Sequence, residues 1–372
     1  MHYLDYAASS PPFPEALETY RAISTVYIGN PSSSHAHGVM AREKLTEART
    51  EFLNLLGLHS AQLTLTASGT EANNLILRGF MEAHPRAHLL LAADAHASAW
   101  FAKSRYGRRV TILPLQKDGS IPQDTLRKSI TRRTKLFSAV HVCNEIGTVH
   151  PVAEFAKICK KAGILFHCDG VQALGHIVPE SGHFDADYYT FSAHKFGGPR
   201  GVGGVIHQNF DLHPQIFGGE QERRFRAGTE NLAGICAAQH ALELTLETIE
   251  LQTKRLLMLQ QLLCKKLENQ LDAYFLNTSG SSLPGLISIS LPGLLASNLV
   301  ADLSLAGFSI SAGSACHSNQ IEPSRIILAM GGTTEQALGT VRISMGRDTT
   351  RETIEAFIPV FTEAVQRQRL LD

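Results

Sequence analysis

The stretch Tyr188-Tyr189-Thr190-Phe191-Ser192-Ala193-His194-Lys195-Phe196-Gly197-Gly198-Pro199-Arg200-Gly201, followed by Gly203-Gly204-Val205-Ile206, decides the fold. An unbroken apolar run enters a glycine-rich turn, and a second apolar run leaves it. Near-continuous apolarity, without strict alternation, fits strands covered on both faces of a largely parallel sheet. A lysine directly beyond such a strand is poorly explained as a solvated surface charge. Partial burial favours the neutral amine, which can attack an aldehyde carbon.

The same pattern recurs from about residue 60 to 210. Its runs are Gln62-Leu63-Thr64-Leu65-Thr66, His88-Leu89-Leu90-Leu91-Ala92, Val110-Thr111-Ile112-Leu113, Lys135-Leu136-Phe137-Ser138-Ala139-Val140 and Ile164-Leu165-Phe166-His167. Helical periodicity between them, as over residues 152–161, supplies crossovers, so the fold class is α/β. Residues 232–271 are helical in period, with no Gly or Pro after Gly234, and a helix of that length suits a bridge between domains. A turn-rich segment, residues 277–285, follows it. Alternating apolar residues over 286–291 and a capping-box spacing at Thr349-Thr350-Arg351-Glu352 mark a smaller α+β unit. A chain of 372 residues, 44% hydrophobic, is too long for one compact core. The expected division is a large domain over 15–255 and a small one formed by 1–14 with 256–372.

Lys plus Arg equals Asp plus Glu at 34 each, so the basic excess typical of a nucleic-acid or anionic-membrane partner is missing. No apolar run reaches the roughly 18 residues of a membrane span. The start lacks the basic head and apolar stretch of a secretory signal, which makes a cytoplasmic location the expectation. Six scattered cysteines without a C-x-x-C pair argue against a disulfide framework. Most lie in apolar runs and read as small buried hydrophobes. Cys316 differs, because Ser311-Ala312-Gly313-Ser314-Ala315-Cys316-His317-Ser318 is too small and polar to be core.

Ligands of open α/β sheets bind beyond the carboxyl ends of the strands. Beyond the first lies Ala67-Ser68-Gly69-Thr70-Glu71-Ala72-Asn73-Asn74, where free N–H groups and the Thr70 hydroxyl suit an anion, although a plain capped turn suits equally. No P-loop lysine accompanies it. Beyond Phe166-His167-Cys168 comes Asp169, a carboxylate that is costly there unless it meets a cation such as a protonated pyridine nitrogen, or simply caps the turn. Lys195 follows the next strand, with Ser192 and His194 within reach of a phosphate. The pairs His35/His37, His141/Cys143 and His167/Cys168 lack the repeated spacing of a zinc site, and chance supplies such pairs among seventeen histidines.

At these residues the chain resembles the cysteine desulfurases of the NifS/IscS type, within the class V branch of the fold-type I pyridoxal-phosphate enzymes. The likeness runs nearly end to end. It includes Tyr3-Leu4-Asp5 with Ala7-Ala8, Gly29-Asn30-Pro31-Ser32-Ser33, Asn144-Glu145-Ile146-Gly147-Thr148, Arg226-Ala227-Gly228-Thr229-Glu230-Asn231, Ser314-Ala315-Cys316 and Arg342-Ile343-Ser344-Met345-Gly346-Arg347. The resemblance implies a large domain with a mostly parallel seven-stranded sheet and a smaller α+β domain. It implies pyridoxal 5'-phosphate held by Lys195 as a Schiff base, with Asp169 keeping the pyridine nitrogen protonated. His96 would stack on the ring and shuttle protons, and Asn144 and Gln172 would contact the phenolic oxygen. Gly69, Thr70, Ser192 and His194 would hold the phosphate. Thr229 would complete the phosphate site of a neighbouring subunit, implying a homodimer. Arg342 and Asn30 would bind the α-carboxylate of L-cysteine.

The implied reaction converts L-cysteine to L-alanine and leaves the sulfur on Cys316 as a persulfide, for a sulfur-acceptor protein such as an iron–sulfur scaffold or a thiolation carrier. Three rivals share parts of this pattern. A selenocysteine lyase shares the fold and cofactor, a class V aminotransferase needs Lys195 but has no use for Cys316, and an idle scaffold would need neither. The chain also departs from the family. Ala95 stands where a Glu is common, Cys143 and Tyr6 where an Asn is usual, and Gly170 where an Ala is common.

Overall fold

The apolar runs become one sheet. In the computed structural model, which describes residues 1–208, 212–278, 280–313 and 322–370, seven strands are joined. They are β1 (Gln62–Thr66), β2 (His88–Ala92), β3 (Val110–Leu113), β4 (Thr134–Val140), β5 (Leu165–Asp169), β6 (Tyr188–Ser192) and β7 (Gly203–His207). Their spatial order is β1-β7-β6-β5-β4-β2-β3. All neighbours run parallel except β7, which is antiparallel to both β1 and β6. Strands β6 and β7 are buried at every residue, as their unbroken apolarity requires. At the edge, β3 exposes Thr111, which accounts for its mixed composition.

Helices cover both faces. In the helix Val152–Ala162, Val152, Phe155, Ala156, Ile158 and Cys159 are buried, the spacing of one helical face. It ends on Gly163, whose left-handed φ of 65° lets its N–H reach the carbonyls of Cys159 and Lys160. The 37-residue helix Leu232–Glu268 serves two cores. Its first half places Ile235, Ala238 and Leu242 against the large sheet with Phe137, Phe166 and Phe191. Its second half places Leu259, Leu263 and Leu267 against Ile287, Ile289, Val341, Phe357 and Phe361. That second core lies beside a four-stranded sheet in the order Ser311–Ala312, Thr340–Ser344, Leu286–Ser290, Phe275–Leu276. The chain start joins it: His2–Tyr3 pairs in parallel with Phe308–Ser309, and Leu4 is fully buried there.

Two local features differ from the sequence reading. The last helix, Arg351–Arg369, takes its cap from Thr350, whose hydroxyl accepts from the N–H of Thr353. Thr349 instead accepts from the N–H of Gly346, so the capping-box spacing is not used. The short helix Arg325–Ala329 lies late in the chain, yet Ile326 and Ile327 pack into the core of the large sheet.

Two histidines of those pairs are held by hydrogen bonds. His167 sits between the hydroxyls of Ser138 (2.9 Å) and Thr190 (3.0 Å), and His141 Nδ1 lies 3.1 Å from the Tyr189 hydroxyl. Cys143, Cys159, Cys168 and Cys236 are buried free thiols. Among the described residues no helix is long and apolar enough to cross a membrane.

Candidate active site

A cleft opens at the carboxyl ends of the strands, and three strand ends supply its chemistry. Beyond β1, Ser68 caps the helix Gly69–Ala83 by accepting from the N–H of Glu71 at 3.2 Å. Gly69 opens the helix, where a Cβ would lie 2.5 Å from Cγ2 of Val171 in the loop beyond β5, so a larger residue would have to displace that side chain. The positive end of the helix and the Thr70 hydroxyl thus face the cleft.

Asp169 ends β5 and is almost wholly buried. Its Oδ1 accepts from the N–H of Val171 (3.1 Å) and its Oδ2 from the Asn73 amide (2.7 Å). The same amide donates to Ser98 Oγ at 2.9 Å, and Ser98 Oγ lies 2.7 Å from His96 Nδ1. A polar chain therefore runs from Asp169 through Asn73 and Ser98 to His96. Burial lowers the pKa of His96, Asp169 opposes that shift, and Lys195 and Arg325 add to it.

Lys195 closes the turn Ala193–Lys195 beyond β6. Its amine donates to the carbonyls of Ala7 (2.6 Å) and Ala8 (2.9 Å). Gly197, at φ 85°, turns the chain back. His194 Nδ1 lies 3.2 Å from Ser9 Oγ, and burial with the nearby Lys195 and Arg200 pushes its pKa down to about 4. Gln172 is buried in the same wall, and its Oε1 has no hydrogen-bond partner among the described residues.

Nine of the expected residues line this one cleft: Gly69, Thr70, His96, Asn144, Asp169, Gln172, Ser192, His194 and Lys195. Arg342 stands just behind it. From the strand Thr340–Ser344, its Nη1 donates to the carbonyl of Asn144 at 2.7 Å and its Nη2 to Asp5 at 2.8 Å. Asn30 lies outside the lining, exposed, its Oδ1 accepting from the N–H of Ser32. Thr229 is also exposed and outside the lining. Cys316 falls outside the described residues.

The chain matches the family model for aminotransferase class-V over residues 2–357. The chain belongs to the class-V aminotransferase family. Among curated relatives of this class-V chain, the cysteine desulfurase IscS of Dictyoglomus turgidum is 34% identical over 99% of the chain and 95% of its own length. The cysteine desulfurase IscS of Anaeromyxobacter dehalogenans is also 34% identical, over 99% and 93%. Among solved structures, a NifS-like protein aligns with a TM-score of 0.89 at 30% identity, covering 98% of this chain and 99% of its own. SspA in complex with cysteine aligns with a TM-score of 0.80 at 26% identity, over 93% and 99%.

This family of enzymes depends on pyridoxal 5'-phosphate. The cleft fits that group by its donor set. A helix N-terminus with hydroxyls suits a phosphate, the buried carboxylate of Asp169 suits a protonated ring nitrogen, and Lys195 suits an aldehyde. The unpartnered Gln172 amide oxygen marks a polar wall prepared for a ligand.

Three neighbours of this site escaped the sequence reading. Asn73 follows Gly69 by four residues and Thr70 by three, so it shares their helical face; that spacing was the available signal. Ser98 is the second. The third is Glu145, buried beside Asn144, whose carboxyl burial pushes up to about 7 and whose oxygen accepts from the Ser324 hydroxyl.

Two departures from the family have local causes. A Cβ on Gly170 would lie 2.1 Å from the ring of the fully buried Tyr189, so Tyr189 occupies the room an alanine methyl would need. Tyr6 donates to Asp348 at 3.0 Å, which ties it to the loop before the last helix.

Proposed function

We propose that this chain is a cysteine desulfurase that takes L-cysteine, releases L-alanine and holds the sulfur on Cys316 as a persulfide. The observation that carries the reading is the convergence of Lys195, Asp169 and His96 on one cleft at the strand ends. Full-length relatives named cysteine desulfurase support it. When bound, pyridoxal 5'-phosphate supplies a carbonyl carbon for amines and a ring that accepts electrons from the substrate Cα.

The remaining work falls to the chain. Gly69, Thr70, Ser192 and His194 would hold the phosphate, and Asp169 would keep a proton on the ring nitrogen. Asn73 fixes the carboxylate, being one of its two described donors. Asn144 and Gln172 would meet the phenolic oxygen, and His96 would cover the ring. Lys195 would hold the cofactor through its aldehyde carbon, and its amine would be the base that takes the proton from the substrate Cα. Arg342, already oriented by Asp5 and the Asn144 carbonyl, pairs with the substrate carboxylate together with Asn30. The Cys316 thiolate then attacks the substrate sulfur. The S–S bond forms, the Cβ–S bond breaks, and its electron pair stays with the carbon that is protonated and leaves as L-alanine.

We further propose a two-domain division at 15–255 and 1–14 with 256–372, supported by the two cores that share the long helix. A homodimer is part of the reading. Thr229 is exposed, in a segment pinned by a 2.7 Å ion pair from Arg226 to Glu71 in the phosphate-facing helix, and Arg226 bridges to Ile216, next to the strongly exposed Phe217. In such a dimer Thr229 would complete the phosphate site of the neighbouring subunit, and the sulfur would pass to an acceptor protein in the cytoplasm.

The test is L-alanine release by the purified holoenzyme. Alanine formed from L-cysteine in step with sulfide or persulfide supports the reading. Turnover of L-cysteine without alanine overturns it.

A further inference from the structure

Arg325 opens a helix anchored in the large core by Ile326 and Ile327, but its own side chain reaches elsewhere. Its Nη1 donates to the carbonyl of Ala93, and its Nη2 to the carbonyl of Ala95 at 2.6 Å. The guanidinium also lies over the Trp100 ring, 3.6 Å from its centroid. Ala93 and Ala95 join β2 to His96. Trp100 belongs to the helix Ala97–Tyr106, its N–H donating to the His96 carbonyl at 2.9 Å. One side chain therefore grips the chain before and after the imidazole.

A half-buried guanidinium is costly unless its donors and face are used, and here two carbonyls and an indole take them. The neighbouring Ser324 donates to Glu145, next to Asn144, so the same short helix is fastened to two walls of the cleft.

We propose that Arg325 is a positioning residue for His96, its planar fork fixing the strand end and helix start that aim the imidazole into the cleft. The inference rests on the role given to His96 above. Lysine cannot replace it, since one ammonium spans neither both carbonyls nor the indole face.

The experiment compares Arg325→Met, Arg325→Lys and Arg325→Ala in two states. In the holoenzyme, Arg325→Met lowers kcat between about 10- and 100-fold, with KM for L-cysteine within about twofold, as misplacement of a reacting group would. Arg325→Lys recovers little, and millimolar methylguanidine partly restores Arg325→Ala. In the apo-protein, the His96 imidazole resonance, assigned with His96→Gln, shifts in Arg325→Met and titrates at higher pH as a nearby positive charge is lost. Wild-type kcat in Arg325→Met, or a His96 signal unchanged in shift and titration, overturns the proposal. So does a kcat loss that follows a drop in Tm and resists methylguanidine. If wild type releases no alanine while the His96 signal responds as stated, the positioning role stands and the desulfurase reading falls.

Discussion

The Lys195 amine donates to the carbonyl of Ala7 at 2.6 Å, tying the turn beyond β6 to the first residues of the chain. The backbone around it is fastened independently. Ser10 Oγ donates to the Lys195 carbonyl, and the Ser10 N–H donates to the His194 carbonyl. Lys195→Ala thus removes the nucleophile without removing those two contacts. Alanine release is expected to fall by about 10³-fold or more, since both capture of the cofactor and Cα proton transfer are lost. Cofactor should also leave on dialysis, with Tm close to wild type. Retention of a covalently held cofactor in this variant would contradict the assignment.

Arg342 is nearly buried, and both Asp5 and the Asn144 carbonyl orient its fork. A lysine keeps the charge but loses the two-pronged geometry. Arg342→Lys is expected to raise KM for L-cysteine by roughly 10- to 100-fold, the range of a lost charge-assisted hydrogen bond, with a smaller change in kcat. Steady-state kinetics decide it, and an unchanged KM would remove Arg342 from the carboxylate site.

At Gly170 the ring of Tyr189 leaves no room for a methyl group, and Tyr189 is held by His141. Gly170→Ala is expected to destabilise the fold by about 1–3 kcal/mol through overpacking. Adding Tyr189→Leu should return part of that loss, so the pair is non-additive. Urea denaturation of the single and double variants measures the coupling.

Burial pushes the pKa values of His141 and His207 down to about 3 and of His167 to about 4, with His183 and Arg223 adding to the first two respectively. Because the folded values lie below the ordinary 6.5, the unfolded chain binds more protons in that interval. The stability from keeping these rings neutral is present above about pH 6.5 and is lost as the pH falls from there through about 4 to 3. Glu145 has the opposite sign. Its raised value means its contribution is complete below about pH 4.5 and is lost as the pH rises through about 7. Urea midpoints should therefore climb from pH 4 to 6.5, and more steeply in Glu145→Gln. A flat profile would contradict the burial of these groups.

The sheet was legible because strands covered on both faces must be apolar throughout, and β6 and β7 are buried at every residue. Strand direction was not, since an apolar run reads the same both ways; hence the antiparallel β7 emerges only from its pairing with β1 and β6. Lys195, Asp169 and Gly69 were legible as chemistry at strand ends. The Asn73–Ser98–His96 chain was hidden, because a hydroxyl two residues from a histidine has a meaning only once the helix Gly69–Ala83 is laid beside it. Arg325 was hidden for a similar reason: its partners lie some 230 residues away in sequence. Of Thr349 and Thr350, both could cap a helix, and the chain's path into the last helix chose the second.

Mass analysis of the Cys316 peptide after the holoenzyme meets L-cysteine, with L-alanine measured alongside, tests the persulfide chemistry directly. A gain of one sulfur atom on that peptide and one L-alanine per sulfur taken are expected, both abolished in Cys316→Ser. L-alanine release undiminished in Cys316→Ser, with no sulfur gained on the wild-type peptide, would contradict it.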